Sequence, residues 1–96
     1  MILRVKADVA KFEQFARENP DQLNRIAEDG KSRGAIHHAF FAGDGEVVVI
    51  DEWDNEESFQ AFFASQQEIP QVMQAAGAQG EPTVEFLRPI DTSDRF

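Results

Sequence analysis

Charge alternates with apolar residues at the start of the chain. Ile2, Arg4 and Lys6 interleave with Leu3, Val5 and Ala7, the period of two expected of a strand over residues 2–7. Asp8 follows, a residue whose carboxylate can accept from the free amides of a first helical turn. From there Phe12, Phe15, Ala16, Leu23, Ile26 and Ala27 recur at helical spacing to about Asp29. Pro20 interrupts that face. Asn19-Pro20 suits an N-cap and a first helical position, so the segment is expected to kink or to form two consecutive helices. Gly30 and Gly34 bracket its exit.

Two apolar runs come next, 35–42 and 46–53, joined by Gly43-Asp44-Gly45. Asp-Gly between such runs signals a tight hairpin. Asp54 with Glu57 three residues later resembles a capping box and predicts a second helix. That helix carries Phe59, Phe62, Phe63, Met73 and Ala76 on one face, and Pro70 breaks or restarts it. After Gly77, Gly80 and Pro82 a last strand is expected over 83–88, with Pro89 ending it.

The order strand, helix, strand, strand, helix, strand predicts an α+β, ferredoxin-like βαββαβ fold. Its four-stranded antiparallel sheet would carry the helices on one face. Residues 1–90 form the single domain and 91–96 a C-terminal tail. In the middle strands both alternating sets are apolar: Val47 and Val49 oppose Val48 and Ile50, and Ala39 and Phe41 oppose Phe40 and Ala42. A bare apolar sheet face marks an interface, so a homodimer with its two sheets packed face to face is expected.

Composition narrows the partners. Eighteen acidic against nine basic residues give a net charge of −9, the wrong sign for nucleic acid or an anionic membrane surface. The absence of cysteine excludes disulfides and thiolate chemistry. No stretch reads as a targeting signal or a membrane span, and a cytoplasmic location is expected. Gly43-Asp44-Gly45 lies in a hairpin, so it is no phosphate-binding loop, and none of the three serines sits in a nucleophile elbow.

His37-His38 is the most unusual local feature. A two-residue turn pairs His38 with Asp51 and His37 with Glu52, which places Ile36, His38, Phe40, Asp51 and Trp53 on one side. A three-residue turn would put His37 opposite Asp51. A carboxylate opposite an imidazole fixes its tautomer and suits it to general acid–base work. The candidate catalytic set is therefore His38, His37 and Asp51, with a structural His–carboxylate bond as the competing reading. Trp53, Phe40 and Phe62 are the candidate substrate-binding residues. Adjacent strand residues point to opposite faces, so the two histidines do not form a metal pair, and no metal or cofactor is expected.

The stretch Asp51-Glu52-Trp53-Asp54-Asn55-Glu56-Glu57-Ser58-Phe59 and onward to Ser65 has a strand-ending acidic residue and Trp, a helix cap, and a helix running into small residues. In this it resembles the dimeric α/β-barrel superfamily, and within it the antibiotic-biosynthesis monooxygenase-like domains. The resemblance implies a pocket between helices and sheet in each subunit, open to bulky aromatic or heme-like ligands. Its members include cofactor-free oxygenases of polycyclic aromatics and heme-degrading enzymes. The chain departs from them at Phe62, where many relatives carry His, and at Asp51, where they usually carry Glu. Asn19 and Asn24 lie too late in the first helix to match the Asn that oxygenase members use. The expected function is an enzyme, monooxygenase-like or isomerase-like, acting without a cofactor on a small hydrophobic aromatic or carbonyl compound. The alternative is a non-catalytic small-ligand binder or a structural dimerisation module.

Overall fold

Each strand-to-helix junction is set by a short polar side chain. The computed structural model describes residues 1–96. Strand β1 (Ile2–Lys6) ends at Asp8, whose Oδ1 accepts the Lys11 amide at 3.1 Å and opens α1 (Val9–Glu18). Asn19 separates α1 from α2 (Pro20–Ser32), so Pro20 divides the segment into two helices. Asn19 is the N-cap residue of α2, as expected, and its carbonyl accepts the Leu23 amide at 3.4 Å, but its side chain caps no α2 amide. Its backbone N–H and side-chain Nδ2 both donate to the Phe15 carbonyl, at 2.8 and 3.1 Å. It closes the end of α1, while the fixed φ of Pro20 starts α2.

Strands β2 (Ala35–Gly43) and β3 (Glu46–Trp53) form the expected hairpin, with Gly45 at φ +69° and Asp44 on the ordinary side of the map. The helix after β3 begins one residue later than the capping-box pattern predicts. Asn55 is the cap of α3 (Glu56–Ser65), accepting the Ser58 amide at 2.8 Å. Asp54 instead lies over Gly34, whose φ is +122° and where a Cβ would stand 2.3 Å from Asp54 Oδ1. The Asp54 amide also donates to the Gly34 carbonyl at 2.9 Å, so only glycine fits where the chain enters β2.

Pro70 restarts a second helix, α4 (Ile69–Ala75). The last strand, β4, runs over Gln79–Glu85, several residues earlier than the expected 83–88. Gly80 and Pro82 read as breakers, yet β4 is an edge strand and the Pro82 nitrogen is needed for no outer neighbour. A register shift between Arg4 and Lys6 of β1 absorbs Gly80 at φ +74°.

The sheet order is β2-β3-β1-β4, antiparallel throughout, an α+β arrangement consistent with a ferredoxin-like fold. All four helices pack on one face. Val5 and Val47 join Phe12, Val72 and Ala76 in one core, while Met1 and Leu3 join Phe59 in a second. On the other face Val48 is buried, but its cross-strand partner Phe41 is 51% and Ile50, two residues along β3, 45% exposed, so two apolar side chains stand open at diagonal positions on the face that carries the Arg4–Glu46 ion pair. No helix is long and apolar enough to cross a membrane.

Candidate functional site

The two-residue turn settles the hairpin register. His38 of β2 stands directly opposite Asp51 of β3, and His37 opposite Glu52. Directly opposed residues share a face, and β3 alternation puts Trp53 on the side of Asp51. The three side chains bond in series: His38 Nδ1 lies 2.7 Å from Asp51 Oδ1, and Trp53 Nε1–H donates to Asp51 Oδ2 at 3.1 Å. The Asp51 side chain is only 8% exposed, against 38% for His38. An ionised carboxylate accepts and does not donate, so the shared hydrogen belongs to the imidazole. The neutral ring then carries N–H at Nδ1 and a lone pair at Nε2, which has no partner in the protein. The backbone of Asp51 is also fixed, exchanging bonds with Met1 at 2.8 and 2.9 Å.

Aromatic rings surround this chain of bonds. His38 meets Phe40 edge-on, with centroids 4.8 Å apart, and Phe40 packs on Phe12 at 4.8 Å. Trp53 packs on Phe59 at 5.5 Å and on Phe62 at 5.2 Å. Arg33 sits over the Phe62 ring, 5.6 Å from its centre. His38, Asp51, Trp53, Phe40 and Phe62 all border one mostly apolar cavity of about 480 Å³ between the helices and the sheet. That volume lies within the usual range for small-molecule sites.

The remaining wall comes from β1, β3, α1, α3 and α4, through Leu3, Val47, Phe12, Phe59 and Val72 among others, and from α2. Leu23, Ala27 and Gly30 form one helical stripe along the cavity. A Cβ at Gly30 would touch the Phe62 ring at 3.6 Å, so the small residue keeps α2 close to α3. Polar bonds pin α2 in place: Arg25 to Glu68 at 2.8 Å, Gln22 to Gln71 at 3.1 Å and Gln66 to Asp29 at 3.0 Å. Its hydrogen bond to Glu68 also pushes the Arg25 guanidinium above its ordinary range.

Two expectations about the site change. Ile36 does not continue the alternation of His38 and Phe40. Ala35 pairs with Trp53 while His37 pairs with Glu52, which leaves Ile36 as a bulge residue, 52% exposed at the cavity margin. His37 borders the cavity but belongs by register to the opposite face, and its cross-strand partner Glu52 is held instead by Arg95 of the tail. The two histidines are thus in different environments, and no three acidic or histidine side chains converge.

An imidazole with one nitrogen tied to a buried carboxylate and the other free is arranged to receive a proton. No protein-family model matches the chain, and no curated protein sequence is similar to it.

Proposed function

We propose that each subunit uses this cavity for a small hydrophobic aromatic or carbonyl compound, with His38 as the base. The observation that carries the reading is the Trp53–Asp51–His38 series, set in an apolar cavity and ending on an unpartnered Nε2. His38 takes a proton from the bound compound, and Asp51, as a positioning residue, stabilises the imidazolium that forms. Trp53, Phe40 and Phe62 hold the compound by ring contact and burial. Return of the proton to another carbon makes the reaction an isomerisation. Attack of the carbanion on dioxygen makes it a cofactor-independent oxygenation, in keeping with the resemblance to monooxygenase-like domains. A thermal-shift screen of hydrophobic aromatic and carbonyl compounds finds the ligand. Turnover is then expected to fall in His38→Ala and to persist in His37→Ala, and full turnover in His38→Ala contradicts the role.

The open face of the sheet supports a homodimer. Phe41 and Ile50 are large, apolar and exposed there, and a second copy turned by a two-fold axis would bury both pairs. A non-catalytic binder or dimerisation module is the second reading. It is favoured by Phe62, which puts a buried ring on the cavity wall where the resembling enzymes carry a histidine. That reading predicts saturable binding with no turnover of any ligand found.

A further inference from the structure

The two edges of the sheet are not alike. On β4, Pro82 has no N–H to offer, Gly80 sits at a register shift, and Glu81 and Glu85 bring charge. On the opposite edge β2 is the longest strand, nine residues, with no proline and no acidic, lysine or arginine side chain. Every residue from Ile36 to Ala42 is exposed, and the one bulge lies at the end, at Ile36. The backbone of Asp51 fixes which groups this edge presents. Asp51 exchanges both its bonds with Met1, so its N–H and C=O face β1 and the His38–Asp51 rung carries no backbone bond. Rungs alternate along an antiparallel pair, so His38, Phe40 and Ala42 all turn their N–H and C=O away from β3. β2 pairs with no strand but β3, and no turn or loop bond reaches these groups.

We propose that this edge is a self-association site, at which β2 of a second copy pairs antiparallel about a two-fold axis through Phe40. In that register Phe40 faces its own counterpart and His38 faces Ala42 on either side, so every outward N–H and C=O of the three residues is bonded. Centring the axis on Ala39 sets Ala42 against the Ile36 bulge, and centring it on Phe41 sets His38 against the turn residue Asp44. Side-chain size selects the same register. Phe41 lies opposite Ala39 on the open side, His38 opposite Ala42 on the helix side, and the two Phe40 rings meet as an aromatic pair. No formal charge opposes another across the strands, although each copy carries a net −9. The product is one continuous sheet from the four strands of each copy, ending on β4 at both sides, where Pro82 stops further growth. Phe40 also borders the cavity, so the ring from the second copy extends the aromatic wall at its margin. This surface is separate from the open face, since packing through that face leaves the β2 edge in water.

Sedimentation and amide hydrogen exchange on the full chain test the site with two kinds of variant. Ala42→Pro removes an outward N–H and no bond within the chain, and Ala42→Lys places a charge on the same rung should the proline variant not fold. Ile50→Lys alters the open face alone. Each Ala42 variant is expected to weaken association through β2 by at least about tenfold, whereas Ile50→Lys still forms a dimer. In the associated wild type the His38 and Phe40 amides are expected to exchange at least about tenfold more slowly than in Ala42→Lys. The amides of His37, Ala39 and Phe41, bonded to β3, are slow in both. An Ile50→Lys protein that is monomeric, or edge amides that exchange equally fast in the two proteins, overturns the proposal and leaves the face-to-face dimer standing. Assemblies that keep growing with concentration also overturn it, because a two-fold strand pair closes. A wild type that stays monomeric removes both surfaces.

Discussion

The hairpin contains the same pair of residue types twice, on adjacent rungs and on opposite faces. On the helix side His38 faces Asp51, and on the open side His37 faces Glu52. The helix-side carboxylate is shielded from water and has two fixed neighbours, His38 and the Trp53 indole, so it accepts from both. On the open side no helix covers the rung, which is flanked by the C-terminal segment. The longer Glu52 side chain turns to Arg95, a permanently charged partner from the tail, and His37 is left to solvent. Register supplies the opportunity for a His–carboxylate bond, and burial decides whether the bond forms. A strand pair therefore holds one candidate base, not two.

Substitutions on the two rungs separate these environments. Asp51→Ala is expected to have the largest effect, about 2–4 kcal/mol in urea unfolding, because two donors lose an ionised acceptor at a site with little water. Glu52→Ala on the other rung is expected to cost under about 0.5 kcal/mol. Equal losses would erase the distinction between the faces. Phe41→Lys, on the open face, is expected to leave monomer stability within about 0.5 kcal/mol while weakening self-association by about a hundredfold in sedimentation. A wild-type protein that sediments as a monomer at micromolar concentration breaks that part of the comparison. Trp53→Phe keeps a ring but removes the donor to Asp51 Oδ2, and about 1 kcal/mol is expected to be lost. Arg95→Ala is expected to have the smallest effect, under about 0.5 kcal/mol, since that ion pair is exposed to water.

Much of the rung geometry was readable from residue types. Gly43-Asp44-Gly45 between two apolar runs implies a short turn, and a turn of two residues is enough to align His38 with Asp51. Period-two alternation likewise puts Trp53 beside Asp51, although the indole-to-carboxylate bond is visible only once both side chains are placed. The far end of the hairpin was not readable. Ile36 bulges where Asp54 closes over Gly34, a tertiary contact that strand periodicity does not encode. Gly80 and Pro82 misled for a related reason, since both are breakers inside a sheet and tolerable at its edge. Arg95 lies in a tail without hydrophobic pattern, so its contact with Glu52 had no sequence signal. The α2 wall of the cavity was partly hidden. Leu23, Ala27 and Gly30 share a stripe, but a stripe facing a cavity reads the same as one facing a filled core.

Everything proposed for the cavity depends on which nitrogen of His38 holds the hydrogen. Long-range ¹H–¹⁵N correlation spectra of the two imidazoles report this directly, with His37 as the internal reference. His38 is expected to show the Nδ1–H tautomer in its neutral form and to lose that preference in Asp51→Ala, while His37 is unchanged by the substitution. If His38 instead shows the same tautomer mixture as His37, and Asp51→Ala alters neither, then the carboxylate does not hold the ring and the assignment of His38 as a positioned base is wrong.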